Sequence, residues 1–265
     1  MRVLETAATM TLNDEAVWVA GDWHGDVTWL QVALPALRRH SPGIRTILHL
    51  GDWWMDTKPV DYWAERAGID RILVTLGNHE PFNVYGPLMR RYPNQALRVS
   101  EVVWLLPRPF SFVVAGRRFL SVGGAASIDE ELRVPGRDWW PEERILEEHV
   151  AAASELPADV LLTHETPDRT PVKPVQELLG RVPTDVSTRV LQECALSRSR
   201  VDRIWNSVHP ALLLHGHMHI FGRGCSADGR EVISLDRNGR WGNIVRLEIT
   251  TLASTVIPIT PSRGA

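Results

Sequence analysis

Eight residues of this 265-residue chain have the types and spacing to do chemistry: Asp22 and His24, Asp52, Asn78 and His79, His164, and His217 and His219. Each group follows a short apolar run, as when a buried strand delivers a polar side chain to the rim of its sheet. In Ile47-Leu48-His49-Leu50-Gly51-Asp52 the run breaks at a glycine and ends on a carboxylate. The donors are carboxylates, an amide and imidazoles, with no thiolate. That mixture suits Mn, Fe, Co, Ni or Zn better than an all-oxygen Mg or Ca cage. Seven donors exceed one tetrahedral site; with the Asp52 carboxylate shared, they fill two sites and leave positions for water. Two ions roughly 3.5–4 Å apart can clamp an attacking hydroxide and the oxygens of an in-line displacement at phosphorus.

For these residues to meet, the elements before them must be strands whose C-terminal ends share one crevice. Val17-Trp18-Val19-Ala20 reads as a buried strand. Residues 27–39 carry apolar positions at helical spacing (Val27, Leu30, Leu34, Leu37) and close in Arg38 and Arg39, which favour a helix C-terminus. Arg45 to Leu50 reads as a second strand, residues 59–67 as a helix and Arg71 to Leu76 as a third strand. This alternation predicts parallel βαβ units. Beyond residue 95 the texture changes. Val102 to Leu106, Phe110 to Ala115 and Arg118 to Val122 are short β-like runs, the last two flanking Gly116, and they predict hairpins rather than crossovers. Gly123-Gly124-Ala125-Ala126 is a bend, and Trp139 to Glu143 predicts a helix start with Pro141 in its first turn. Val160-Leu161-Leu162 and Ala211 to Leu214 are strands, and residues 187–207 a helix. Residues 168–186, with Pro171, Pro174 and Pro183, read as a loop. The remainder predicts antiparallel strands with turns at Asp228-Gly229 and Asn238-Gly239, while residues 1–15 fray or form an edge.

Composition narrows the function classes. Hydrophobic content of 44% supports a sizeable core, and the length suits one domain over residues 1–265, with no internal repeat or linker. A net charge of -3 and no long basic run advertise no nonspecific nucleic-acid groove, so nucleic acid is a possible partner without being an indicated one. Two cysteines, Cys194 and Cys225, are too few for a disulfide framework and read as buried small hydrophobes in a reducing compartment. With no leader-like N-terminus and no apolar run near the ~18 residues of a membrane span, the expected location is cytoplasmic, with no membrane association. Oligomeric state is not legible.

In chain order the motifs read Gly21-Asp22-Trp23-His24-Gly25, Gly51-Asp52, Gly77-Asn78-His79-Glu80, Thr163-His164 and Gly216-His217-Met218-His219. This series resembles the calcineurin-like metallophosphoesterase superfamily, and the segment from Val122 to Asp129 with Arg133 and Trp139-Trp140 resembles its bacterial and phage members. The resemblance implies a four-layer α/β/β/α sandwich of two mixed sheets with a dinuclear metal site at the strand C-terminal ends. It implies that Asp22, His24 and His219 hold one ion, that Asn78, His164 and His217 hold the other, and that Asp52 bridges them. His79 would stabilise the transition state and protonate the leaving oxygen, oriented by an acidic partner. One departure is visible: the family's second aspartate falls three residues after the bridging one, whereas here it is Asp56, one position later.

Blander readings apply to the neighbours. Glu80 and Asp26 suit loop capping or support of an imidazole, and His49 and His215 suit satisfied core histidines. Trp23, Trp53 and Trp54 suit packing between loops better than an aromatic wall that stacks a base or an aryl group. Arg133 and Arg137 are matched to a phosphate or to surface carboxylates. The expected activity is hydrolysis of phosphate esters by a two-metal, metal-hydroxide mechanism, with Mn²⁺ the expected ion and Fe, Zn, Co or Ni open. Phosphodiesters or small nucleotides are the favoured substrates. A nuclease and a non-catalytic metal-binding scaffold of the same fold are the alternatives.

Overall fold

The stretch Val17-Trp18-Val19-Ala20 shows how the core is divided. Trp18 and Ala20 face a cluster beneath helices, while Val17 and Val19 face a second cluster between two sheets. A strand covered on both sides has no polar face, which is why it reads as an unbroken apolar run. The computed structural model describes residues 1–181 and 183–259. Strands β1 (Glu5–Ala7), β2 (Thr11–Leu12) and β3 (Ala16–Ala20) are followed by α1 (Val27–His40), β4 (Thr46–His49), α2 (Thr57–Ala67), β5 (Arg71–Thr75) and α3 (Phe82–Arg91). Then come β6 (Ala96–Arg98), β7 (Val103–Leu106), β8 (Phe110–Val114), β9 (Arg117–Val122), α4 (Glu147–Ser154) and β10 (Val160–Thr163). Helices α5 (Lys173–Leu179) and α6 (Thr188–Val208) precede β11 (Leu212–His215), β12 (Gly222–Cys225), β13 (Glu231–Ser234), β14 (Ile244–Glu248) and β15 (Ser254–Val256).

Two mixed sheets form, in the orders β1-β6-β7-β5-β4-β3-β14-β15 and β12-β13-β11-β10-β9-β8-β2. The inner strands β7, β5, β4 and β3 of the first are parallel, as are β13, β11, β10 and β9 of the second. Each sheet therefore gathers several strand ends at one edge. Leu48, Leu50 and Leu73 of the first sheet pack against Phe112, Leu162 and Leu214 of the second. Helices α1 to α3 cover the outer face of the first sheet through Leu30, Leu34, Val60 and Tyr85, and α4 to α6 cover the second through Val150, Val175 and Ile204. The layers are α/β/β/α. No helix among the described residues is long and apolar enough to cross a membrane.

Several local expectations are corrected. The run at Val103–Leu106 forms a hairpin with β6 but also pairs parallel with β5 on its other side, while β8 and β9 form the second hairpin. Strand β13 pairs antiparallel with β12 but parallel with β11, because the Asp228-Gly229 turn feeds it back beside the sheet's centre. The segment expected to be a loop contains α5, whose Pro174 sits in the first turn, where a missing N–H breaks no helical bond. The helix expected from Trp139 is a single 3₁₀ turn, Pro141–Glu143, and α4 begins at Glu147. Cys194 is buried but Cys225, on an edge strand, is exposed.

Candidate metal centre

Five strand ends build the site. The loop after β3 carries Asp22 and His24, the loop after β4 carries Asp52, and the loop after β5 carries Asn78 and His79. From the second sheet, β10 runs into His164 and β11 into His217 and His219. Backbone strain concentrates here. Asp22, His24, Asp52, Trp54, His217 and His219 all have left-handed φ values between 22° and 65°. Such conformations cost on the order of 1–3 kcal/mol each and persist where surrounding contacts over-determine them. Two glycines let the loops close: a Cβ on Gly77 would lie 2.2 Å from Asp52 Oδ1, and one on Gly216 would lie 2.2 Å from Asp22 Oδ2.

Asp22, His24, Asp52 and His219 form a compact group whose ligand atoms lie within 4.8 Å of one another. His24 Nε2 is 3.5 Å from Asp52 Oδ2, and His219 Nε2 is 3.3 Å from Asp22 Oδ1. On the other carboxylate oxygen, His164 Nε2 is 3.3 Å from Asp52 Oδ1 and 2.9 Å from Asn78 Oδ1. His217 sits at the margin of this set. Its ring centroid is 5.0 Å from that of His164, its Nε2 is 4.0 Å from Glu165 Oε2, and its backbone N–H donates to Asp22.

The surroundings fix which atoms face inward. His164 Nδ1 donates to the Leu50 carbonyl at 2.6 Å, and His24 Nδ1 to Asn238 Oδ1 at 3.1 Å, leaving Nε2 of both rings toward the cluster. Asn238 in turn donates to Asp26 at 2.7 Å, while the same carboxylate caps α1 through the Trp29 N–H. Such outer partners orient a metal-binding imidazole and raise its basicity. Asn78 Nδ2 donates to Ser127 Oγ at 2.9 Å, which turns Oδ1 toward His164. Ser127 is itself held by Arg133 and Glu143, and Arg133 pairs with Glu143 at 2.7 Å. Glu80 accepts three backbone N–H groups, from Trp53, Trp54 and Gly77, tying the β4 loop to the β5 loop.

Electrostatics follow burial and charge. Burial would raise Asp52, yet His164, His24 and His79 hold it well below the usual carboxylate range. Burial would lower His164, but the Asp52 charge and hydrogen bond, then Asp22 and the Leu50 carbonyl, raise it to about 10. The His164 proton thus lies where carboxylate and amide oxygens converge. A set of imidazole nitrogens and carboxylate oxygens that demands positive charge fits divalent cations, which take deprotonated ligands. His79 lies against Trp54, with ring centroids 5.6 Å apart, and donates its backbone N–H to Asp52. Burial lowers its imidazole, with Asp52 opposing and Arg133 reinforcing. No carboxylate hydrogen-bonds the His79 ring among the described residues, so the expected acidic partner is absent there.

The neighbours resolve into distinct positions. Trp23 and Trp53 are buried in the core, and Trp23 donates to Asn243 Oδ1 at 3.0 Å. Trp54 is half-buried and flanks both His24 and His79. Asp56 caps α2 through the Lys58 N–H, and Arg137 pairs with Asp138 at the surface. His49 is a core histidine wedged between Trp23 and Trp53, but neither ring nitrogen has a hydrogen-bond partner among the described residues. His215 bonds through Nδ1 alone. Asn238, Asn243, Ser127 and Glu143 were not singled out from the sequence. Asn238 carried a turn signal, Ser127 lay in the Val122–Asp129 segment and Glu143 in the expected helix start, but none of these signals pointed to the contacts they make, and Asn243 carried none.

The chain is thus an α/β/β/α sandwich with an Asp/His cluster, able to hold a metal ion, at its strand ends. The calcineurin-like phosphoesterase family matches the chain over residues 16–221, and the chain belongs to that family. It is therefore a hydrolase acting on phosphoric ester bonds, and family and cluster together indicate a dinuclear divalent-metal site. Among solved structures it is similar to a dimetal phosphatase from Danio rerio, at 12% identity and a TM-score of 0.55, covering 92% of this chain and 99% of that one. It is also similar to TT1561 of Thermus thermophilus, at 11% identity and a TM-score of 0.51, covering 91% and 97%. No curated protein matches the chain in sequence.

Proposed function

We propose that this chain hydrolyses small phosphate esters, phosphodiesters and nucleotides among them, with two divalent cations, Mn²⁺ the expected pair. Asp22, His24 and His219 would hold one ion, Asn78, His164 and His217 the other, and Asp52 both. The observation that carries this reading is the division of Asp52: Oδ2 faces His24 and Oδ1 faces His164, from opposite sheets. When bound, the cations supply an activated water and neutralise charge developing on the phosphoryl oxygens. The chain's own residues do the rest. Asn238 and the Leu50 carbonyl hold the imidazoles in place, Ser127 orients Asn78, and half-buried Trp54 screens the His24–His79 side from water. His79, beside the cluster but outside it, is placed to protonate the departing alkoxide. The free thiols of Cys194 and Cys225 support a reducing, cytoplasmic setting.

The test is hydrolysis of bis-p-nitrophenyl phosphate against p-nitrophenyl phosphate with added Mn²⁺ and with EDTA, on wild type and Asp52→Asn. Turnover that needs metal and is lost in Asp52→Asn is expected, and the preferred ester separates diesterase from monoesterase. Two bound ions with no turnover on either ester would contradict the small-ester reading; failure to bind two ions would remove its basis.

A further inference from the structure

Beside the centre lies a cavity of about 350 Å³ between α5, α6 and the loop after β11. This is within the ~300–1,000 Å³ of pockets that take small ligands. His217 lines it, so one proposed metal ligand forms part of its wall. Most of its wall is apolar: Leu179 from α5, Leu191 and Cys194 from α6, Met218 from the loop, and Ile128. Leu191, Cys194 and Arg198 recur at i, i+3 and i+7, which puts all three on one face of α6. Glu165, Arg181 and Arg198 also line it, and Arg198 pairs with Asp168 at 3.2 Å.

The wall is built rather than incidental. Ala126, Val190 and Cys194 form their own buried cluster, with Ala126 N–H donating to Ser197 Oγ, so the Gly123–Ala126 bend is seated on α6. The cavity therefore sits between a fixed helix face and the loop that carries His217 and His219. Apolar surface of this kind, continuous with a phosphoester site, gains free energy when an apolar group leaves water to cover it.

Resting on the phosphoesterase reading, we propose that this cavity receives the organic group of the substrate and that the group is compact and apolar, an aliphatic chain or an aryl ring. Leu179, Leu191 and Met218 are then specificity-determining residues. Each buried methylene strengthens binding about fourfold, so three extra methylenes give at most about 60-fold.

Calorimetric binding of methylphosphonate and butylphosphonate to the Mn²⁺-loaded protein tests this, on wild type, Leu191→Trp and Leu179→Trp. The expected result is at least tenfold tighter binding of butylphosphonate by wild type, with the ratio falling towards one in both variants. Both leucines are partly exposed, and a melting curve checks that each variant is folded. Methylphosphonate binding with a wild-type ratio near one would overturn the pocket assignment and leave the phosphoesterase reading standing. A steep ratio that persists in both folded variants would overturn it as well, by placing the apolar contact elsewhere. A metal-loaded protein that binds neither phosphonate would remove the phosphoesterase reading and this proposal with it.

Discussion

His164 is wholly buried, whereas His219 leaves 40% of its side chain exposed and His24 20%, although all three imidazoles lie within 3.5 Å of a carboxylate. The buried half of the centre is prepaired: His164 touches Asp52 and Asn78 and is anchored to Leu50, and Asn78 is locked by Ser127. The other half is a ring of side chains reaching in from the rim, where His24 and His219 meet edge to face at 4.8 Å. Burial strengthens every electrostatic contact and slows exchange with solvent, so the same ligand types yield two unlike positions. The buried position is expected to hold its ion tightly, and the rim position to exchange it.

The sharpest test of that asymmetry pairs His164→Ala with His219→Ala. His164→Ala is expected to lose more than about 100-fold in activity, beyond the ~10–100-fold typical of changes outside the ligand shell. It should also bind fewer than two ions at saturation. His219→Ala should recover its second ion when Mn²⁺ is raised. Equal losses and equal metal counts by elemental analysis would erase the difference between the halves. A smaller effect comes from Asn238→Ala, which frees His24 Nδ1 while leaving every proposed ligand in place. Metal affinity at one site should weaken about 10–100-fold while the other site is unchanged; a two-site titration separates them. The smallest effect on catalysis belongs to Glu80→Gln. Its amide NH₂ would face one of three backbone N–H donors, lowering stability by about 1–3 kcal/mol in urea unfolding, with both ions still bound. Loss of an ion in that variant would show that the loop framework and the rim position are not separable.

The strand-end loops were legible because each joins an apolar run to a glycine and a polar residue, and that grammar is local. Gly77 and Gly216 belong to it, since the carboxylates they admit lie where a Cβ would be. What could not be read depends on distance along the chain. Asn238 reaches His24 across 214 positions, and Asn243 satisfies both Trp23 and Trp29 across more than 210, yet in sequence each is one asparagine near a turn. Trp23, Trp53 and Trp54 all suited packing in sequence, and only the fold decides that the first two are core while Trp54 is half-buried beside His24 and His79. Helix α5 was hidden by its own proline, which is equally at home in a loop and in a helix's first turn. The parallel placement of β13 was hidden by a hairpin turn that correctly pairs it with β12 and says nothing of its other neighbour, β11.

Asp22, His24, Asp52 and Asn78 hang from one sheet, and His164, His217 and His219 from the other. Ions held by this set would rivet two sheets that otherwise meet mainly through apolar side chains, with a buried Thr75–Ser121 hydrogen bond between them. Cohesion of the fold would then track the supply of ion: at 100 times its dissociation constant, one bound ion adds about 2.7 kcal/mol to unfolding. A cell short of that metal would lose this protein by unfolding as well as by inactivity, and its abundance would serve as a gauge of the metal pool.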